Sequence, residues 1–230
     1  MRPPRRRFAA LDMELTLDLA EPIGVLIVFL VFVNRLLPRL VQLVLFEREH
    51  PELILAAGGI NAQLLLLVLG EALGVLLILI RRRSPSLSTQ PFDWALSLSA
   101  VSAPLLLTTP ALASAVIPGA VTTTVMLMGL LIQIAGKLSL WRSFGLVPAN
   151  RGLRTRGLYR VVRHPTYAGY TLTHIGFLIG FPSWQNALLY AGIFAIEVVR
   201  LLREETLLGR DPGYRDYVTR VRYRLLPGVF

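Results

Sequence analysis

The chain has no cysteine, which excludes disulfides and Cys-ligated metal sites. It is also poor in charge: 17% of its 230 residues are Asp, Glu, Lys or Arg, against about 25% in a soluble domain. Little of that charge is acidic, with 14 Asp plus Glu against 24 Lys plus Arg, for a formal net charge of +10. The three histidines are scattered and have no carboxylate cluster beside them, so the sequence offers no metal site. There is no G-x-x-x-x-G-K-S/T, no G-x-G-x-x-G after a strand, no H-E-x-x-H and no G-x-S-x-G, so phosphate loops, dinucleotide folds, zincins and nucleophile elbows are excluded. A reaction that needs neither a metal nor a covalent nucleophile fits what remains.

Apolar sequence is what the chain has in abundance. At 54% hydrophobic residues and a mean hydropathy of +0.59, it is a membrane protein. Its arginines gather at the ends of apolar segments, where the positive-inside rule puts them, so the basic charge does not imply a nucleic-acid partner.

The apolar runs predict an all-α, polytopic membrane domain over residues 1–230, with about six transmembrane helices of roughly 20 residues each. After the basic MRPPRRR and a mildly acidic, polar Glu14–Glu21, a first span is expected from Pro22 to Phe46. Asn34, Arg35, Pro38 and Arg39 could kink it, or end it early and leave Leu40–Phe46 at the interface. A second span, Ile60–Ile80, stops at Arg81-Arg82-Arg83 and is followed by the loop SPSLSTQP. The third, Phe92–Thr109, is weakened by Pro104, and the fourth is Ala120–Trp141. The fifth, Pro165–Phe181, and the sixth, Trp184–Leu202, are joined by Pro182-Ser183 and should form a tight antiparallel hairpin.

Arginine-rich connections (the N-terminus, Arg81–Arg83, Arg142–Arg163 and Arg200–Arg224) alternate with acidic or neutral ones (47–50, Pro110–Gly119 and Pro182-Ser183). Both termini, the long basic stretch and the C-terminal tail are therefore expected in the cytoplasm. Inside the spans, Lys137 is expected to snorkel and Glu71 to bond another helix. Tyr167, Thr171 and His174 share one helix face, which should meet a cavity or a neighbouring helix rather than lipid.

Most of the ionisable chemistry lies in Arg151–Tyr170 and after it. Pro165 suits the first turn of a helix and keeps His164 extended. The positive helix end beside Arg154, Arg156, Arg160 and Arg163 is a place to hold an anion. The sixth span ends in Glu197, Arg200, Glu204 and Glu205, with Arg200 and Glu204 at i, i+4 and within reach of each other. The hairpin returns them to the level of His164 and Tyr167, so two motifs converge on one cytoplasmic-side pocket.

These residues carry a resemblance. GLYRVVRHPTYAGY at 157–170, EETLL at 204–208 and the tail DPGYRDYVTRVRYRLLPGV resemble the isoprenylcysteine carboxyl methyltransferases, and the related phospholipid N-methyltransferases share much of the pattern. The resemblance covers Trp141–Phe230, so residues 1–119 are helices without a motif and 120–230 hold the methyltransferase core. It implies S-adenosylmethionine as cofactor, held without a Rossmann domain by the cytoplasmic ends of the last helices. By position, Tyr159, His164, Pro165, Thr166 and Tyr167 would contact it, Arg151, Gly152, Leu153 and Arg154 would lie along it, and Glu204 would bind it from the opposite side. Arg200 takes the place of the family's substrate-binding arginine. The tail departs from the family, reaching Tyr214 and Tyr217 sooner than its pattern does, so no tail contact is carried over.

The expected function is methyl transfer to a membrane lipid or lipidated acceptor, with Arg200 and Glu204 as the catalytic pair. A carboxylate acceptor needs no base, and Arg200 would clamp it; the alternative, phospholipid N-methylation, needs a proton acceptor such as Glu204 or Glu197. A transporter or membrane scaffold is the reading from another class. The lack of inverted repeats, and the gathering of ionisable groups at one membrane face, count against transport.

Overall fold

In the computed structural model, residues 4–49, 60–84, 86–106 and 119–230 are described. Met1–Pro3, Pro85 and the connections 50–59 and 107–118 lie outside them. With these go His50, most of the neutral Pro110–Gly119 connection and the end of the expected third span. The described elements are helical: α1 (Pro4–Glu49), α2 (Ile60–Ile80), α3 (Pro91–Ser102), α4 (Gly119–Leu140), α5 (Pro165–Gly180), α6 (Trp184–Leu208) and α7 (Pro212–Arg220). One isolated antiparallel bridge, Leu87 with Ala149, ties the two long loops together.

Three of these helices are long and apolar enough to cross a bilayer among the described residues, within Leu15–Pro38, Ala120–Ser143 and Trp184–Leu208; Leu66–Ile80 of α2 is apolar but shorter. The expected third span falls short. α3 has 12 residues, about 18 Å of helix, before the chain tightens into a 3₁₀ turn at Ala103–Leu106 around Pro104.

The first span differs most from its expected bounds. The helix begins at Pro4 and carries Pro22 and Pro38 inside it, so Asn34 to Arg39 does not end it. Pro22 leaves the carbonyl of Asp18, four residues back, without its helical partner. Arg81 at the end of α2 supplies one, donating Nη2 to Asp18 O at 2.7 Å. Asp18 and Glu21, which read in sequence as a polar lead-in, are buried within this helix. α6 likewise runs on past Leu202 to Leu208, because its charged last turns find partners within the protein rather than in water.

α4 and α5 form the most extensive helix contact, and it rests on small residues. Gly129 on α4 faces Gly169 on α5 closely enough that a Cβ on Gly169 would stand 2.7 Å from both Gln133 N and Gly129 O, while Gly136 packs against Thr166 and Gly176 against Met126. Such backbone approach is how helices pack where hydrophobicity cannot drive them together. Gln133 Nε2 donates across the contact to Thr173 Oγ1 at 2.9 Å. α5 and α6 are joined by the short turn expected, but they meet only sparsely, and a cavity opens between them.

Lys137, the chain's only lysine, does not snorkel. Its side chain is 1% exposed and pairs with Glu71 Oε1 and Gly70 O, both at 3.0 Å. The nearest carboxylate is on α2 rather than at the interface, so Glu71 bonds another helix as expected.

Gly169→Ala should therefore destabilise the protein by about 1–3 kcal/mol through overpacking. Gly192→Ala, where a Cβ meets nothing within 4 Å, should be neutral or stabilising by up to about 1 kcal/mol. Thermal unfolding in one detergent compares the two, and equal shifts would contradict the packing argument.

Candidate active site

A cavity of about 460 Å³ runs from the 142–154 loop into the helices, touching every helix from α1 to α7. Its inner part is lined by Val28, Phe29 and Phe32 of α1, Val75 of α2, Val101 of α3 and Met126 of α4. Its other end is polar. There it meets the start of α5, the last turns of α6 and the first tyrosines of α7.

Local structure sets up that polar end. Gly157, at φ +62°, turns the chain into a 3₁₀ turn at Gly157–Arg160 that buries Tyr159. The Tyr159 carbonyl accepts from Tyr217 Oη at 2.7 Å, and its hydroxyl is 3.5 Å from Thr166 Oγ1. α5 starts at Pro165 with His164 as its non-helical cap, as the sequence predicts. The backbone N–H groups of Arg163 and His164 donate to Tyr223 O and Arg224 O, both at 2.9 Å, so the C-terminal tail closes over this end. Burial pushes the phenols of Tyr159 and Tyr214 above their usual range, with the Glu204 charge adding to both, and that of Tyr217 up to about 12. All three therefore stay protonated hydroxyls at neutral pH.

The structure brings the two predicted motifs together. Tyr167 Oη donates to Glu204 Oε2 at 3.4 Å, and its ring lies beneath the Arg200 guanidinium at 5.6 Å and edge-on to His164 at 5.6 Å. The expected Arg200–Glu204 ion pair is absent among the described residues. Arg200 instead donates Nη2 to Leu146 O at 2.9 Å, and its Nε is buried with no hydrogen-bond partner. The loop carbonyl competes successfully because Leu146 is held in place from its other side by Glu21.

The 151–154 segment lies at the cavity rim. Gly152 has φ +95°, Leu153 is exposed, and Arg154 Nε is 3.3 Å from Ser143 Oγ. Arg151 is buried and turned away, its Nη2 3.0 Å from Glu21 Oε2 and 3.5 Å from Asp18 Oδ1. Arg163 is also engaged, by Glu205 Oε1 at 2.8 Å and Arg222 O at 2.9 Å, so of the arginines expected to hold an anion beside α5, Arg163 is already neutralised. Thr171 gives its hydroxyl to Tyr167 O on its own helix at 3.0 Å. The face that reaches the cavity is Tyr167, Tyr170 and His174.

Sequence reading passed over Glu205. This second glutamate of the pair accepts from Arg163, from Arg224 at 2.9 Å, and stands 3.1 Å from His164 Nε2, joining α5, α6 and the tail. The Glu-Glu doublet was the one available signal, but adjacency does not say which member faces the tail. Asp93, clamped by Arg203 at 2.7 Å and by Ser88, was missed for the same reason: its partner is 110 residues away.

Glu205→Ala should leave the guanidinium groups of Arg163 and Arg224 without their carboxylate and cost about 3–5 kcal/mol, the scale for removing one partner of a buried pair. The tail should loosen first. Limited trypsin digestion should cut at Arg222 or Arg224 faster than in the wild type, and unchanged cleavage and melting would contradict this role.

Residues 117–211, which take in α4, α5, α6 and the cap of α7, match the family model described as phospholipid methyltransferase. No curated protein matches the chain. The matched segment, less than half of the chain, holds every residue of the converging motifs, and over it the protein is similar to the phospholipid methyltransferases and, with them, to the isoprenylcysteine carboxyl methyltransferases of the same integral-membrane group, in keeping with a membrane methyltransferase.

Proposed function

We propose that the protein transfers a methyl group from S-adenosylmethionine to a lipidic acceptor at the cytoplasmic membrane face, and that the accepting atom is a carboxylate oxygen. The observation that carries this is Arg200. Arg200 is 8% exposed, lines the cavity and has no carboxylate partner among the described residues. A buried guanidinium without a counter-charge suits an incoming anion, and its planar fork suits a carboxylate.

The residues at the polar end fit the cofactor on their chemistry. Tyr159, Tyr167 and Tyr214 present aromatic faces, Glu204 a carboxylate, and the Tyr214 hydroxyl is buried without a partner. Bound S-adenosylmethionine supplies an electrophilic methyl on a sulfonium cation, which aromatic faces and a carboxylate favour. Tyr159, His164, Pro165, Thr166, Tyr167 and Glu204 would hold it, with Gly152, Leu153 and Arg154 along the rim; Arg151, engaged by α1, would contribute backbone only. Arg200 would align the acceptor, and the tail over α5 would exclude water, so orientation and desolvation are the protein's main contributions. The apolar part of the cavity has room for the acceptor's chain.

The phospholipid N-methyltransferase reading is supported by the description of the matching family and by Glu197, whose buried Oε2 has no hydrogen-bond partner. An ammonium acceptor must lose a proton first, and Glu197 or Glu204 would take it.

Methyl-labelled cofactor incubated with membrane lipids distinguishes the two, since a methyl ester is base-labile and an N-methyl group is not. Calorimetry on the purified protein should show cofactor binding that weakens in Tyr159→Ala; no binding of cofactor or its demethylated product ends the enzyme reading. Arg200→Ala should lower kcat/KM by about 2–5 kcal/mol, on the order of 30-fold to several thousandfold, with Arg200→Lys recovering part. Near-wild-type turnover in Arg200→Ala would reject the carboxylate clamp.

Orientation is part of the proposal, with both termini and 142–163 in the cytoplasm. In this cysteine-free chain, a thiol at Pro182→Cys should label only from outside and one at Arg156→Cys only from the cytoplasm. Labelling of both from one side would reject this orientation.

A further inference from the structure

Leu146 is the point at which three helices meet. Its N–H donates to Glu21 Oε1 of α1 at 2.6 Å, and the next N–H, of Val147, donates to the same oxygen at 3.2 Å. Its carbonyl accepts from Ser97 Oγ of α3 at 3.2 Å and from Arg200 Nη2 of α6 at 2.9 Å. Glu21 is 2% exposed and Ser97 is wholly buried, so water has little access to these bonds. α1 and α3 lie outside the matched segment and carry none of the converging motifs.

Arg200 has few other constraints. Its Nε is buried without a hydrogen-bond partner, and its guanidinium stands 5.6 Å from the Tyr167 ring. The Leu146 carbonyl and that ring therefore set the direction in which the fork points. A long side chain keeps one rotamer only where something holds it, and a misplacement of about 1 Å at a reacting centre can cost about a hundredfold in rate. Glu21 serves two groups of partners. Its charge faces Arg81 Nη1 at 2.7 Å and Arg151 Nη2 at 3.0 Å, and Asp18 Oδ1 shares both arginines, at 2.7 and 3.5 Å. Among the described residues, the two N–H groups find their acceptor in Glu21 alone.

We infer that Glu21 and Ser97 are positioning residues for the methyl transfer: through Leu146 they hold the Arg200 guanidinium at the angle at which it presents the acceptor's anion to the cofactor. Neither residue lines the cavity, so each acts only through the loop. This rests on the acceptor reading of Arg200 given above. It assigns the N-terminal helices a part in the reaction, as the backing against which the motif arginine is set.

The test separates the reach of Glu21 from its charge. Glu21→Asp keeps the charge beside Arg81 and Arg151 but draws the carboxylate back from the two N–H groups by one C–C bond, about 1.5 Å. Glu21→Gln keeps the reach and loses the charge, leaving Asp18 to hold the arginines. The measurement is methyl transfer by the purified full-length protein in detergent to N-acetyl-S-dodecylcysteine, read as base-labile label, with cofactor binding by calorimetry and thermal unfolding in parallel. Glu21→Asp should lower kcat about tenfold to a hundredfold, while KM for the acceptor and cofactor affinity stay within about threefold of wild type. Glu21→Gln should recover most of that kcat although it melts at a lower temperature than Glu21→Asp. Activity that follows stability instead, with Asp above Gln, rejects the inference. In an Arg200→Ala background Glu21→Asp should bring no further loss, since both act through one group; independent, additive losses reject it as well. Ser97→Ala should lower kcat about threefold or more, the scale of one neutral hydrogen bond, and this loss too should vanish without Arg200. If neither Glu21 variant folds, Ser97→Ala in the two backgrounds decides. Failure of the underlying reading looks different. No ester label with the wild type, or near-wild-type turnover in Arg200→Ala, ends the carboxylate clamp and this inference with it, whereas a damaging Arg200→Ala beside an unimpaired Glu21→Asp ends this inference alone.

Discussion

The carboxylate of Glu21 fixes more of this structure than any other single group. One oxygen accepts the backbone N–H groups of Leu146 and Val147 at 2.6 and 3.2 Å, and the other takes the Arg151 guanidinium at 3.0 Å. Arg81, at the end of α2, stands 2.7 Å away. Through these contacts α1 holds the loop whose Leu146 carbonyl in turn holds Arg200. A buried set of four charges is stable only while all its members remain, since removing one strands the others at about 3–5 kcal/mol. The N-terminal helix, which carries no methyltransferase motif, is thus coupled by two hydrogen bonds to the residue that would meet the acceptor.

The close contact of α4 with α5 supplies the other half of the architecture. Glycines let these two helices approach until backbone meets backbone, whereas α5 and α6 meet only sparsely. The space between α5 and α6 is lined instead by Tyr167, Tyr170, His174, Tyr190, Glu197 and Arg200.

Charge is then sorted around that space. Glu205 neutralises the arginines that would otherwise crowd the start of α5, and the Asp93–Arg203 clamp fastens α3 to α6. Among the described residues that line the cavity, Arg200 and Glu197 stand on neighbouring turns of α6 without a Lys, Arg, Asp or Glu side chain paired to them, as do Arg35, Arg154 and Glu204 elsewhere on its wall.

Composition and apolar runs, by themselves, determined that this is an all-helical membrane protein. They placed α2, α4 and α5 to within a residue or two, because such helices are specified by local apolar length and by punctuation such as Pro165. The motif residues were legible too, along with their convergence, since a short turn at Pro182-Ser183 leaves α6 nowhere else to return. Tertiary structure alone decided what each charge does. The sequence could not say that Asp18 and Glu21 belong inside a helix, that Arg151 turns towards α1, that Lys137 finds Glu71, or that Glu205 rather than Glu204 anchors the tail. Each of those outcomes depends on a partner 19 to 130 residues away, and the strength of a buried ion pair is set by the distance and burial of both members, which no local pattern encodes.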